Sequence, residues 1–196
     1  MESKTIELVF ATHNKNKALE IQNLLPAHVH IKTLSEIGCF EEIPEEQETL
    51  EGNALQKARC VFQQFGVNCF ADDTGLEVEA LNNEPGVYSA RYAGEDKSDE
   101  KNIALLLQNL KGVAQRKAQF RTAIALIIDG EEHVFEGVVK GEIRKEKSGN
   151  NGFGYDPIFE PESSGKTFAE MTLEEKNQIS HRARAIKKLS DFVERL

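Results

Sequence analysis

Two hydrophobic periods alternate along this chain. Ile6 to Ala11 is a short unbroken apolar run, which reads as a buried strand. Lys15 to Leu25 follows with apolar residues at Ala18, Ile21, Leu24 and Leu25, a helical spacing that Pro26 ends. Val29 to Thr33 predicts a second strand, so the opening is a strand–helix–strand unit of the α/β kind. Leu50 to Phe65 predicts a helix closed by Gly66. Asn68 to Ala71 predicts a strand running into a tight acidic turn at Asp72-Asp73-Thr74-Gly75, with Leu76 to Ala80 as a continuation.

Asn82 to Arg91, with Pro85-Gly86, reads as a loop. Ser98 to Leu110 predicts a helix with Ser98 as its cap. Phe120 to Ile128 and His133 to Ile143 read as strands joined through the hairpin signal Asp129-Gly130. Gly149 to Tyr155 is a glycine-rich loop, and Pro157 to Phe159 a short extended piece. Thr172-x-x-Glu175 has the form of a capping box, and Ile179 to Leu196 predicts a closing helix. The expected fold class is α/β: a mixed sheet flanked by helices, in a single domain over 1–196.

Composition narrows the function. A chain of 196 residues can bury a real core, and 39% hydrophobic with 29% charged residues is ordinary for a globular protein. No apolar run approaches the roughly 20 residues that span a bilayer. Met1 to Phe10 carries Glu2 and Glu7 and lacks a signal-peptide core, so a cytoplasmic location and no membrane partner are expected. Cys39, Cys60 and Cys69 are odd in number and form no C-x-x-C pair, which predicts three buried thiols. The net charge of −9 argues against nucleic acid as a partner. An anionic ligand would then need local cations or a metal ion to hold it.

Four places carry candidate chemistry. Thr12-His13-Asn14-Lys15-Asn16-Lys17 lies where a strand hands over to a helix. Unpaired N–H groups at a helix start favour an anion, and Lys15 or Lys17 adds full charge. A polar loop with solvated lysines is the plainer alternative. The second place is the acidic run Glu41, Glu42, Glu45, Glu46, Glu48 and Glu51, either a solvated face or the source of one magnesium carboxylate, best Glu45. Asn53 and Lys57 share a face of the next helix, from which Lys57 can reach a phosphate.

The third is the Asp72-Asp73 pair. Strand alternation sends the two side chains opposite ways, so one can bind metal or activate water while the other orients. An Asx-type turn would explain the pair equally well. The fourth combines Gly152-Phe153-Gly154-Tyr155-Asp156 with Lys176, His181 and Arg182. Glycines admit a flat ligand, Phe153 or Tyr155 offers a ring for stacking, and the basic residues offer donors to a base carbonyl. A hairpin-like loop beside a basic surface helix is the alternative. His28 and His30 read as an ordinary surface pair.

The motifs Phe10-Ala-Thr-His-Asn-Lys-Asn-Lys17, Thr49-Leu-Glu-Gly-Asn-Ala54, Ala71-Asp-Asp-Thr-Gly-Leu76, Pro85-Gly-Val-Tyr-Ser-Ala-Arg-Tyr-Ala-Gly94, Gly152-Phe-Gly-Tyr-Asp-Pro-Ile-Phe159, Lys166-Thr-Phe-Ala-Glu170 and Glu175-Lys-Asn-Gln-Ile-Ser-His-Arg182 run through most of the chain. Together they resemble the inosine triphosphate pyrophosphatase family, also called dITP/XTP pyrophosphatases. The resemblance implies an elongated mixed sheet, two lobes with a central cleft, and a homodimer. It also implies hydrolysis of ITP, dITP and XTP to the monophosphate and pyrophosphate.

Carried over by motif position, Thr12, Asn14 and Lys17 hold phosphates with help from Lys57. Glu45 and Asp73 hold magnesium, and Asp73 accepts the proton of the attacking water. Thr74 touches the substrate, while Phe153, Gly154, Tyr155, Asp156, Lys176, His181 and Arg182 form the base pocket. Thr74 stands where the family often has Ser, and Pro44-Glu45-Glu46-Gln47 departs from the usual run at the metal glutamate, which leaves the choice among neighbouring glutamates open. Two rival readings remain: a pyrophosphatase of other modified nucleotides, and a nucleotide-binding regulator without turnover.

Overall fold

The computed structural model describes residues 5–22 and 24–196. Met1 to Lys4 of the N-terminal stretch, and Asn23 of the first predicted helix, lie outside the described residues. The strands are β1 (Ile6–Phe10), β2 (Val29–Thr33), β3 (Cys69–Val78), β4 (Glu84–Gly86), β5 (Lys117–Ile128), β6 (Glu131–Ile143) and β7 (Phe159–Pro161). The helices are α1 (Lys15–Gln22), α2 (Leu50–Phe65), α3 (Asp99–Asn109), α4 (Leu173–Ile179) and α5 (His181–Val193). Among the described residues the strands form one seven-stranded sheet in the order β2-β1-β3-β5-β6-β7, with β4 beside β3. β1 runs parallel to β2 and β3, whereas β4 and β7 pair antiparallel with β3 and β6. The expected mixed sheet with flanking helices is therefore present.

The chain groups into two compact units. The first comprises Met1–Asp73, Thr122–Gly137 and Arg182–Leu196, and the second Thr74–Arg121 and Val138–His181. Each has its own apolar core. In the first, Leu8, Phe10 and Phe70 pack with Ile124, Leu126 and the α5 residues Ile186, Leu189 and Val193. Phe10 and Phe70 stack with centroids 4.6 Å apart. The α5 spacing places those residues on one stripe, the face a helix needs to cover a sheet. Leu189 is fully buried there. Leu189→Ala is expected to lower stability by about 2–5 kcal/mol, seen as an earlier urea midpoint with an unchanged slope. In the second unit, Leu76 and Val78 pack with Ile103 and Leu106 of α3, Phe120, Phe159 and Phe168.

Local signals explain most element ends. Thr49 Oγ1 accepts the Gly52 N–H, and Gly66 closes α2 in the left-handed conformation. Asp129 and Gly130, with φ of 51° and 84°, make the β5–β6 turn. Thr172 and Glu175 form the expected capping box of α4.

Four expectations are corrected. The tandem aspartates do not make a turn: they lie inside the ten-residue strand β3, because Phe70 and Leu76 on either side of them are both buried in apolar cores. The Asn82–Arg91 loop contains the short strand β4. Ile179 ends α4, and the extended Ser180 separates it from α5. Cys39 and Cys69 are buried but Cys60, on α2, is only half-buried. No helix among the described residues is long and apolar enough to cross a membrane.

Candidate active site

In the first unit, the start of α1 is capped from within. Asn14 Oδ1 accepts the N–H groups of Asn16 at 3.0 Å and Lys17 at 3.3 Å, and Thr12 Oγ1 accepts the Asn14 N–H at 3.1 Å. The Asn16 and Lys17 N–H groups of the expected unpaired set are thus occupied, which leaves the lysine side chains as the candidate cations of this loop. His13 Nε2 donates to the Glu41 carbonyl at 2.9 Å, and it is exposed together with Lys15 and Asn16. Thr12 and Lys17 are half-buried.

Lys17 turns inward. Its Nζ lies 3.1 Å from Asp72 Oδ1. On the other oxygen of Asp72, Arg182 Nε donates at 3.2 Å, while Arg182 Nη1 pairs with Glu20. Asp72 and Arg182 are almost fully buried, so Arg182 is not on a basic surface helix. Burial works against the Asp72 carboxylate, but Lys17, Arg182 and Lys57 outweigh it and hold its pKa far below the usual range. Burial lowers the Lys17 pKa, with Asp72 pulling the other way.

Asp73 lives in a different environment. Asn53 Nδ2 donates to Asp73 Oδ2 at 2.9 Å. The Asn53 Oδ1 is taken by the Gln47 N–H at 2.8 Å, which fixes the amide so that its NH2 faces the aspartate. Lys57, four residues along the same face of α2, donates to the Asp72 carbonyl at 2.7 Å and pairs with Glu45. Burial raises the Asp73 pKa and the Glu45 charge adds to it, against Lys57, Lys17 and the Asn53 bond. Lys57 is itself disfavoured by burial, yet Asp73, Glu45 and Asp72 raise its pKa on balance. Adjacent residues on one strand therefore differ in character. Asp72 is locked as a structural anion, and Asp73 is the better proton acceptor.

Among the described residues no group of three or more His, Cys, Asp or Glu makes a ready cage for a metal. Magnesium does not need one: it takes one or two carboxylates and completes its shell with water and phosphate oxygens. Glu45 and Asp73 are hard oxygen donors that repel each other, so this pair suits such a cation.

In the second unit, Thr74 follows on β3 and is half-buried. Asp156 Oδ2 accepts the Phe153 N–H at 3.0 Å and pairs with Lys176 Nζ at 2.7 Å. The Lys176 ammonium also lies 5.1 Å from the Phe153 ring centroid and 5.4 Å from that of Phe168, within cation–π range. His181 stacks on Phe120 at 4.6 Å. Lys176 and His181 are buried, which the reading as a solvated basic helix did not anticipate. Tyr155 is buried in the core, its hydroxyl donates to the Ser89 carbonyl at 2.7 Å, and burial raises its pKa. Of the two rings offered for stacking, Phe153 is the one that remains half-exposed, with Gly154 beside it.

Sequence reasoning missed Glu20 and the role of Asn53 toward Asp73. A signal existed for each: Glu20 stands three residues after Lys17 on the same helix face and next to the apolar Ile21, and Asn53 precedes Lys57 by one turn. Phe120 read only as the start of a strand, and Phe168 only as part of the Lys166–Glu170 motif.

Known proteins resemble this chain over nearly its whole length. A curated dITP/XTP pyrophosphatase of Flavobacterium johnsoniae is 55% identical over 96% of this chain and 98% of its own. One of Bacillus subtilis is 50% identical over 96% and 97%. The solved Ham1 protein of Staphylococcus aureus superposes with a TM-score of 0.88 at 45% identity, covering 96% of this chain and 98% of its own. A HAM1 protein from Coxiella burnetii gives 0.90 at 38% identity, covering 97% and 100%. With the Ham1 family model matching residues 8–192, a span that holds every charged cluster described above, the chain belongs to the Ham1 family.

Proposed function

We propose that this protein hydrolyses the non-standard purine nucleotides ITP, dITP and XTP to the monophosphate and pyrophosphate, as one catalytic domain over 1–196. The observation that carries the reading is the buried Asp73 carboxylate, oriented by Asn53 and flanked by Lys57 and Glu45. The name borne by its relatives supports it.

In this reading water attacks the α-phosphorus. A new P–O bond forms, the bond to the bridging oxygen breaks, and pyrophosphate leaves. Asp73 accepts the proton of the attacking water. Thr12, Asn14 and Lys17 hold phosphate oxygens, with His13, Lys15 and Asn16 lining the same loop and Lys57 offsetting charge. Thr74 contacts the substrate from the strand. Glu45 and Asp73 would hold magnesium, which when bound neutralises phosphate charge and acts as a Lewis acid.

Phe153 stacks on the base beside Gly154 and Tyr155. Asp156 orients Lys176, and Lys176, His181 and Arg182 supply donors. Inosine and xanthosine carry an acceptor oxygen at the six-position, whereas adenosine carries a donor amino group. A donor left unpaired against adenine costs about 1–3 kcal/mol, so discrimination of roughly 5- to 150-fold follows from one mismatch.

Pyrophosphate release from ITP, dITP and XTP, set against ATP and modified dUTP and dTTP, tests the reading. Release from the inosine and xanthosine nucleotides is expected, with loss on adding EDTA and recovery with excess magnesium. Orthophosphate as the product, a preference for the pyrimidines, or undiminished release in EDTA would overturn it. We further propose a cytoplasmic homodimer that binds neither nucleic acid nor membrane. The charge of −9 supports the first exclusion, the family resemblance supports the dimer, and mass in solution tests it.

A further inference from the structure

The loop Gly152–Asp156 has no regular structure of its own, and its glycines at φ of 74° and 60° give it a permissive backbone. Asp156 holds it from inside, through the Phe153 N–H and Lys176. A second carboxylate holds it from a distant element. Asp99 Oδ2, in the first turn of α3, accepts the Gly154 N–H at 2.7 Å.

That bond acts on one peptide plane. The carbonyl of Phe153 accepts the Asp156 N–H at 3.2 Å. The peptide linking Phe153 to Gly154 is thus tied at both ends, its carbonyl to Asp156 and its N–H to Asp99. A planar peptide tied at both ends fixes the Phe153 Cα, and the Phe153 N–H held by Asp156 Oδ2 restrains rotation about the Cα–C bond, so the ring is left to turn only about its own side-chain torsions. The anchor is firm, since α3 buries Ile103 and Leu106 in the core of the same unit. Capping of α3 does not require the Asp99 carboxylate, because Ser98 Oγ accepts the Lys101 N–H. The next residue, Glu100, makes a separate contact with Lys147 Nζ at 2.6 Å.

We propose that Asp99 is a positioning residue for purine recognition: it sets the orientation of Phe153 through the Gly154 peptide and so determines affinity for the base. This rests on the reading of Phe153 as the stacking ring.

Replacing Asp99 with alanine removes the acceptor, whereas Asp99→Asn keeps an oxygen there. In Asp99→Ala the KM for ITP is expected to rise about five- to tenfold, the loss of one solvent-exposed hydrogen bond, with kcat within about twofold. Asp99→Asn should restore most of the affinity, and Glu100→Ala, which breaks only the Lys147 contact, should leave KM unchanged. An unchanged KM in Asp99→Ala, or an equal rise in Glu100→Ala, would overturn the assignment.

Amide hydrogen exchange gives a readout independent of substrate. The wild-type Gly154 amide should exchange at least about tenfold more slowly than its intrinsic rate. Exchange at the intrinsic rate removes the proposed bond, even if the alanine variant fails to fold. Absence of wild-type activity on ITP would instead sink the functional reading and leave the Asp99–Gly154 tie standing on the exchange data.

Discussion

Asp73→Asn should lower pyrophosphate release from ITP by about 10²- to 10⁴-fold, the usual contribution of a positioned general base, while the protein stays folded. The argument is local. Asparagine matches aspartate in shape, and its oxygen can still accept the Asn53 NH2 bond. Lys57 retains Glu45 and the Asp72 carbonyl. What disappears is the capacity to take a proton and one negative charge.

Burial raises the Asp73 pKa in the fold, so the ionised form is less favourable there than in the unfolded chain. The sign follows from linkage: a carboxyl whose folded pKa is raised weakens stability as pH climbs past its unfolded value. Removing that charge should leave the melting temperature equal or slightly higher at neutral pH. The loss should appear in kcat rather than KM, because the proton moves only in the transition state. A magnesium titration separates the two roles given to this residue. If saturating magnesium restores the variant to within tenfold of wild type, Asp73 is a ligand and not the proton acceptor.

Much of this could be read from the chain because local chemistry and tertiary packing agree there. The helix over Leu50–Phe65 is capped at both ends by residues next to it in sequence, and the Asp129-Gly130 turn needs only its own backbone. The pairing of Asn53 with Lys57 on one helix face follows from helical geometry alone. Other features depended on partners far away. The acidic pair looked like a turn because two carboxylates seldom sit inside a buried strand, and they do so here only because Lys17, Arg182 and Lys57 come from distant segments. For the same reason a basic surface helix stood as the alternative for Lys176 and His181. Their rings and carboxylate, Phe120, Phe168 and Asp156, are supplied by β5 and by the turns preceding α4. No one-dimensional pattern announces a cation buried against a remote aromatic ring.

The neighbouring residue should behave in the opposite way. Asp72→Asn is expected to destabilise the protein by about 3–5 kcal/mol, the cost of breaking a buried pair from one side. Lys17 would keep its charge half-buried and Arg182 would keep its own in a dry setting, the latter still paired with Glu20. The pH dependence has a definite sign. The Asp72 pKa is depressed by those cations, so its contribution is fully present above the unfolded value of about 4 and drains away as pH falls toward the folded one. Urea melts in metal-free buffer should therefore show wild type losing stability on acidification below about pH 4. The asparagine variant should start lower and lose less over that range. Two side chains of equal chemistry, one residue apart, then separate by function: substitution at 73 removes turnover at little cost to the fold, and substitution at 72 weakens the fold first. Should Asp72→Asn melt with wild type at pH 7, the cations near it are not buried charges held by that carboxylate, and the division between the two aspartates fails.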